Sequence, residues 1–246
     1  MTGAANLQEM MIAAIARMLE GCGHVAVGTG SPVPGTATLL ASKLSGGRMR
    51  VSVLGSQKEC LWSDGGKELF DCAAQGRIDA FFLGGGQIDG QGNINLVGIG
   101  GYPVSKVRFP GSYGSAHLYF HVPKVILFRE EHSPRVLVEK VDFISAPGVS
   151  EANLYRPGGP SALITGRALF AFDKERRRFR LESLHPGQKV DEVVAETGFA
   201  FDLPGGAVPE TPPPSEDELA LIRGDVGRLA AATYPIFAAE MLGIAA

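Results

Sequence analysis

Apolar stretches that run directly into glycine-rich loops constrain the fold of this chain more than any other feature. His24–Val27 runs into Gly28-Thr29-Gly30, and Asp79–Leu83 runs into Gly84-Gly85-Gly86. Amphipathic segments with the apolar spacing of a helix lie at 5–20, 36–43 and 67–75. Strands that alternate with helices predict an α/β fold with an open, largely parallel sheet flanked by helices. In such sheets, ligands bind at the loops that follow the carboxyl ends of strands.

Composition excludes several classes of protein. Lys and Arg together number 23 and Asp and Glu 26, a net charge of −3, so no excess of cations is available to meet the phosphates of nucleic acid or a membrane surface. No apolar run approaches the roughly 20 residues of a membrane span, and the N-terminal stretch lacks the basic region of a signal peptide. The three cysteines form no Cys-x-x-Cys pair, which favours a reducing compartment. We therefore expect a cytoplasmic protein.

The length allows one large α/β domain or two small ones. We predict further strands at 49–54, 124–129, 136–141 and 162–172, and a short helix at 190–196. Residues 204–214 contain five prolines and predict a stiff connector. Ser215 and Glu218 form a capping box that opens a last helix. The predicted organisation is an α/β region over 1–203, a connector over 204–214, and a helical tail over 215–246 that packs on that region or on a partner.

Common cofactor motifs are incomplete. Gly28-x-Gly30 lacks the third glycine of a dinucleotide fingerprint because Val33 occupies that position, and Thr36 stands where a phosphate-binding P-loop needs lysine. His117 and His121 are four residues apart, but the aromatic stretch between them and the proline that follows favour a strand or loop over a helical metal site. We predict no metal. Isolated histidines and the run Arg176–Arg178 are interpreted as satisfied or solvated groups.

The glycine loops nevertheless suggest a ligand. Glycine accounts for 33 of 246 residues, roughly twice the usual share of about 7%. Turn chemistry explains any one such loop. Three of them, two with amide or hydroxyl side chains, favour a site for an anion or an acyl group, because backbone N–H groups in such loops bind phosphates or an oxyanion. From the residues alone, a small-molecule site is predicted, with catalysis left open.

Several motifs in one order resemble a known family. They are the series Gly84-Gly85-Gly86-Gln87-Ile88-Asp89, Gly92-Asn93-Ile94-Asn95 and Gly111-Ser112-Tyr113-Gly114-Ser115-Ala116, with Val27-Gly28-Thr29-Gly30 before them and Val141–Gly148 and His185-Pro186-Gly187 after them. This series closely resembles the B (β) subunit of class I CoA-transferases, the glutaconate CoA-transferase type above all. The resemblance covers most of the chain.

The resemblance implies a single open α/β domain that pairs with a related A (α) subunit. The active site would lie between the two subunits and act on acyl-CoA, with coenzyme A as part of the substrate and no permanently bound cofactor. It also implies that the glycine loops hold the CoA ester. The residues so implied are Gly28, Gly30, Gly85, Gly86, Gln87, Asn93, Gly111, Ser112, Tyr113, Gly114 and Ser115.

Two positions depart from the family pattern. In the transferases, a B-subunit glutamate attacks the thioester and forms a covalent intermediate. The alignment places Leu54 at that glutamate, followed by Gly55 and Ser56, and the nearest carboxylate is Glu59, which we expect to lie out of reach unless the loop is rearranged. Tyr113 and Ser115 replace the glycine and alanine of the family loop, which would reshape the acyl pocket.

Three functions stay open. The first is a hydrolase-like enzyme that uses water and takes its catalytic acid from the A subunit, as in the IpdB type of steroid ring-opening hydrolase, which resembles this chain at 183–187 and 215–219. The second is a CoA-transferase that uses Glu59. The third is a non-catalytic subunit that binds CoA esters.

Overall fold

The structure is a computed structural model in which residues 3–244 are described. The helices are α1 Leu7–Met18, α2 Pro32–Leu44, α3 Gly65–Ala74, α4 Ser115–His121, α5 Val190–Ala195, α6 Glu216–Ile222, α7 Asp225–Ala231 and α8 Pro235–Leu242. The strands are β1 His24–Val27, β2 Arg50–Val53, β3 Ala80–Leu83, β4 Gln87–Ile88, β5 Ile94–Asn95, β6 Gly98–Ile99, β7 Val107–Arg108, β8 Lys124–Arg129, β9 Pro160–Thr165, β10 Ala168–Asp173 and β11 Arg178–Leu184. None of the helices in this range is both long enough and apolar enough to cross a membrane.

The chain divides into two compact units. The first contains the described residues up to Phe82 and those from Pro212 onward, and the second is Leu83–Thr211. This division differs from the predicted organisation, whose boundaries at 203 and 214 remain a prediction.

The first unit is built on three parallel strands. β1 pairs with β2 from His24↔Arg50 to Val27↔Val53 and pairs on its other side with β3. The three strands are almost entirely buried, because apolar side chains line both of their faces. Their carboxyl ends therefore lie at one edge of the sheet.

Two partly buried ion pairs join the C-terminal tail to α1. Arg17 Nε donates to Glu218 Oε1 at 3.0 Å, and Arg223 Nε donates to Glu9 Oε1 at 2.6 Å. Burial alone would raise the pKa of Glu9, but hydrogen bonds from Arg223 and the Asn6 N–H outweigh it and hold that pKa below its usual value. The predicted capping box of Ser215 and Glu218 is confirmed at the start of α6.

The second unit contains the parallel pair β8–β9 and the antiparallel strands β10 and β11, with two small hairpins, β4–β5 and β6–β7. The predicted α/β fold with an open, largely parallel sheet flanked by helices is confirmed.

Three element predictions in the second unit are wrong. Residues 162–172 are not one strand, because the chain reverses between β9 and β10 at Gly166-Arg167. Residues 136–141 form a turn, in which Val136 and Leu137 are fully buried but only Leu137 makes a ladder bridge, to Ile88. The histidine pair lies on helix α4, which ends at Val122 before Pro123.

The segment 204–211 is more than a connector. Leu184 N–H donates to the Pro209 carbonyl at 3.0 Å, and Thr211 N–H donates to the Leu184 carbonyl at 2.7 Å. The segment thus runs parallel to β11 and is bonded to its edge.

Candidate functional site

At the carboxyl edge of the first unit, two loops lie side by side. The loop after β1 contains Gly28-Thr29-Gly30 and the loop after β2 begins with Leu54-Gly55. Leu54 N–H donates to the Val27 carbonyl at 3.0 Å, and a Cβ built on Gly55 would lie 3.6 Å from Thr29 Cγ2. Gly30 and Gly55 have φ of 71° and 86°, a left-handed conformation that other residues rarely adopt. The adjacency follows directly from the parallel pairing of β1 and β2.

The loop after Leu54 doubles back on its own strand. Val53 N–H donates to the Glu59 carbonyl at 2.6 Å, and Glu59 N–H donates to Ser56 Oγ at 3.1 Å. The backbone of Glu59 therefore returns to within one residue of Leu54, although five positions separate them in sequence. Whether the Glu59 carboxylate takes part in chemistry stays a prediction.

The C-terminal tail supports the same loop. Thr233 Oγ1 donates to Ser56 Oγ at 2.9 Å. Tyr234 packs so closely on α2 that a Cβ built on Gly35 would lie 2.5 Å from Tyr234 Cε2. Burial raises the pKa of Tyr234 to about 12. Sequence analysis did not detect this support, because Ser56 and Thr233 are 177 positions apart and no local pattern links them.

The glycine loop after β3, in the second unit, is shaped by close contacts. A Cβ built on Gly86 would lie 2.3 Å from the Phe109 ring, and one built on Gly85 would lie 2.7 Å from Ile94 Cγ2. Gln87 is buried, and its Oε1 accepts from Asn95 Nδ2 at 2.7 Å and from the Asp142 N–H at 3.0 Å. The loop is thus held by its own contacts.

The side chain of Asn93 is likewise hydrogen-bonded within the chain. Its Nδ2 donates to Asp89 Oδ2 at 3.0 Å, and its Oδ1 accepts from the Gly148 N–H at 3.0 Å. Asp89 Oδ1 accepts from the Asn93 N–H at 3.1 Å. Both ends of the amide therefore have partners within the chain.

The loop at 111–116 leads into α4. Gly111 and Gly114 have φ of 107° and 68°, and the Ser115 N–H donates to the Ser112 carbonyl at 2.7 Å. The Ser115 hydroxyl is buried and has no hydrogen-bond partner among the described residues. Tyr113 is 77% exposed. Backbone groups and one aromatic side chain are therefore what this loop presents at the surface.

Of the predicted ligand-binding residues, Gly28 and Gly30 belong to the first unit and the others to the second. Their contact with a ligand stays a prediction.

The histidines do not form a metal centre in the part of the chain that is described. The rings of His117 and His121 have centroids 4.5 Å apart, but no group of three or more His, Cys, Asp or Glu residues in 3–244 is placed to bind a metal. Burial, followed by the neighbouring His117, lowers the pKa of His121. His132 is buried between Thr165 Oγ1 at 2.8 Å and Thr197 Oγ1 at 3.0 Å, as expected of a satisfied core histidine.

The chain is similar in sequence to two known enzyme subunits. The chain is 37% identical over 163 residues to the B subunit of the 3-oxoadipate CoA-transferase of Pseudomonas knackmussii, with 64% of the chain and 62% of that relative covered. It is 29% identical over 175 residues to the IpdB subunit of the cholesterol ring-cleaving hydrolase of Rhodococcus jostii, with 64% and 62% covered. The matches thus span less than two thirds of these relatives.

A solved structure of the decarboxylase AibA/AibB superposes with a TM-score of 0.78 and covers 97% of the chain and 99% of its counterpart. At 23% identity, this match concerns the fold alone. The family model described as Coenzyme A transferase matches residues 9–196, well over half of the chain. The chain therefore belongs to the coenzyme A transferase family.

Proposed function

We propose that this chain is the B-type subunit of a heteromeric enzyme that acts on acyl-CoA with water as the acceptor. A related A-type subunit would be its partner and would supply the catalytic acid or base. Coenzyme A would enter as part of the substrate, and no permanently bound cofactor is proposed. The family match and the names of the relatives support the subunit type and the substrate class.

Leu54 is the observation that carries the water-using reaction. It follows β2 at the carboxyl edge, where the resemblance assigns the covalent glutamate, and a leucine side chain contains no nucleophile. Without that carboxylate, a covalent acyl-exchange route loses its first step. In the water route, the oxygen of water bonds to a carbonyl carbon of the substrate. At the thioester carbonyl the C–S bond then breaks, and at a ring ketone the bond to the adjacent ring carbon breaks. The proton of water passes to the leaving group.

The glycine loops would hold the substrate through their backbones. Gly28, Gly30, Gly85, Gly86, Gly111, Ser112, Tyr113, Gly114 and Ser115 are proposed to line the CoA ester, with Gln87 and Asn93 fixing the loop beneath it. N–H groups that are not used internally could then polarise the acyl carbonyl. The charges nearest the reaction would come from the partner.

The decisive experiment uses the chain co-expressed with its A-type partner. The complex is incubated with a panel of acyl-CoA esters, with and without acetate or succinate, and free CoA and new CoA esters are followed by mass. Turnover that needs only water is expected. Transfer of CoA to the added acid would contradict the proposal, and tight binding without any turnover would identify a non-catalytic subunit.

Glu59 supports a second candidate, a true CoA-transferase. The hydrogen bond from Val53 to the Glu59 carbonyl brings this residue back to the end of β2. Glu59→Gln separates the two candidates. Under the water route, turnover stays within about twofold, whereas a covalent role predicts a loss of several orders of magnitude. Glu20→Gln, an exposed carboxylate near the end of α1, is the matched control.

A further inference from the structure

A small cavity lies at the amino-terminal ends of β8 and β9, beside the turn between β10 and β11. Its volume is about 160 Å³, and its walls include Arg156, Lys174 and Arg177 with the backbone of Gly148 and Gly159. The glycine loop after β3 lies at the opposite end of β8, where a Cβ built on Gly84 would be 3.4 Å from the Phe128 carbonyl. The cavity and the Gly84–Gly86 loop therefore lie at opposite ends of β8.

The cavity wall has an excess of positive charge. Arg156, Lys174 and Arg177 face a single carboxylate, Glu151, and none of the ion pairs in residues 3–244 includes any of these four side chains. Burial, followed by the charge of Arg156, lowers the pKa of Lys174. A concave surface with such an excess of cations attracts anions.

Arg156 is held rigidly and retains a free donor. One of its terminal nitrogens donates to the carbonyls of Pro147 at 2.8 Å and Tyr119 at 3.0 Å, and the guanidinium stacks 5.1 Å from the Tyr119 ring centroid. Its Nε is buried and has no partner among the described residues. A buried N–H without an acceptor costs free energy that a bound oxyanion would recover.

The turn that carries the other two cations is strained. Asp173 Oδ1 accepts from the N–H groups of Glu175 at 3.0 Å and Arg176 at 2.8 Å, which fixes the turn. Arg177 follows with φ of 55°, and no other non-glycine residue in 3–244 has a positive φ. Glycine or asparagine would occupy this position at lower cost. Arg176 and Arg178 both pair with Asp202, whereas Arg177 lines the cavity and belongs to no ion pair in residues 3–244.

We propose that this cavity binds a phosphate group. Two guanidinium groups and an ammonium group approach it from two separate segments of the chain, an arrangement that suits a tetrahedral oxyanion. Its volume is below the roughly 300 Å³ at which pockets for whole small molecules begin. The ligand is therefore inorganic phosphate or the terminal phosphate of a larger molecule whose remainder stays in solvent.

Arg177→Gly provides a test whose two readouts move in opposite directions. Glycine relieves the strained backbone, so the thermal midpoint without phosphate should stay unchanged or rise. Affinity for inorganic phosphate, measured by calorimetry at constant ionic strength, should fall at least tenfold in this variant and in Lys174→Gln. Arg180→Gln, which removes an exposed cation on β11 that pairs with Glu182 outside the cavity, should bind phosphate like the natural chain.

The source of the phosphate is identified by competition. Displacement of phosphate by CoA but not by dephospho-CoA would assign the site to the 3′-phosphate of CoA, whereas failure of both would assign it to free phosphate or another monoester. Absence of saturable phosphate binding, or equal affinity in Arg177→Gly and the natural chain, would overturn the proposal. Neither result depends on whether the enzyme hydrolyses or transfers acyl groups.

Discussion

The two compact units differ in how their polar side chains are hydrogen-bonded. In the first unit, the loops at the carboxyl edge are short, and Glu59 is the one carboxylate in the segment 54–59. In the second unit, Gln87, Asp89 and Asn93 are buried and bonded to one another's backbone and to distant segments. The amides of these glycine loops are therefore bonded within the chain. Substitutions of these buried groups should act on stability, whereas those at the edge of the first unit should act on the loop that follows Leu54.

Among the substitutions considered, Asn93→Ala should destabilise the buried hydrogen-bond network of the second unit most. It removes the donor to Asp89 Oδ2, while Asp89 Oδ1 keeps its bonds from the backbone N–H groups of Gln91 and Asn93, and it removes the acceptor of the buried Gly148 N–H. We expect a loss of about 3–4 kcal/mol, since each buried group left unpaired costs about 1–3 kcal/mol. Urea unfolding monitored in the second unit measures this change in the free energy of unfolding. Asn153→Ala, at an exposed position, is the control. A variant with normal stability but no affinity for CoA esters would make Asn93 a ligand contact instead.

His132, one of the two buried histidines of the second unit, should make this unit sensitive to acid. Burial, followed by the charges of Arg167 and His185, lowers the pKa of His132 from 6.5 to about 4. Between these values the unfolded chain binds a proton that the folded chain does not, so stability is complete above pH 6.5 and is lost as the pH falls towards 4. The loss is at most about 3 kcal/mol. His132→Gln should flatten unfolding free energy against pH in this window; an unchanged slope would assign the acid sensitivity to other groups.

Gly114→Val tests whether the exposed loop at 111–116 of the second unit contacts the CoA ester. The φ of 68° should cost valine about 1–2 kcal/mol, and the distorted loop should lose its affinity for CoA esters. Asn tolerates this conformation, so Gly114→Asn is the control and should retain binding. Normal affinity in Gly114→Val, measured by titration of the complex with a non-reactive CoA ester, would remove this loop from the proposed site.

Thr233→Val makes the smallest change, at the edge of the first unit. It deletes the hydrogen bond to Ser56, which should cost about 1 kcal/mol. The Glu59 amide, which donates to Ser56, should then exchange its hydrogen roughly fivefold faster, because the loop opens more often. Thr233→Ser retains the hydroxyl and should exchange at the original rate. Equal rates in all three proteins would mean that the tail does not support this loop.

Much of the fold could be predicted from the sequence because local patterns matched the tertiary structure. The buried strands before the glycine loops and the capping box at Ser215 follow from periodicity and cap chemistry. The strand Arg178–Leu184 was missed because its charged residues suggested a solvated face, although polar and apolar residues alternate along it as in a half-buried strand. The turn at 136–141 was misassigned because its apolar residues are buried by contacts with a distant segment.

Less of the candidate site could be predicted from the sequence. Sequence placed the glycine loops after strands, but the return of Glu59 to Val53 depends on loop geometry that spacing does not reveal. The cations of the small cavity come from positions 156, 174 and 177. The last two lie in the turn between β10 and β11, and spacing in the sequence does not reveal that all three line one cavity.

The proline-rich segment bonded to β11 affects how this protein behaves at high concentration. An exposed strand edge offers unpaired N–H and C=O groups on which other chains can add and aggregate. Here that edge is covered by a stretch in which Pro204 and Pro209 have no N–H to offer a further strand. This edge of the sheet is thereby terminated by the protein's own chain, which protects it from edge-to-edge association with other chains.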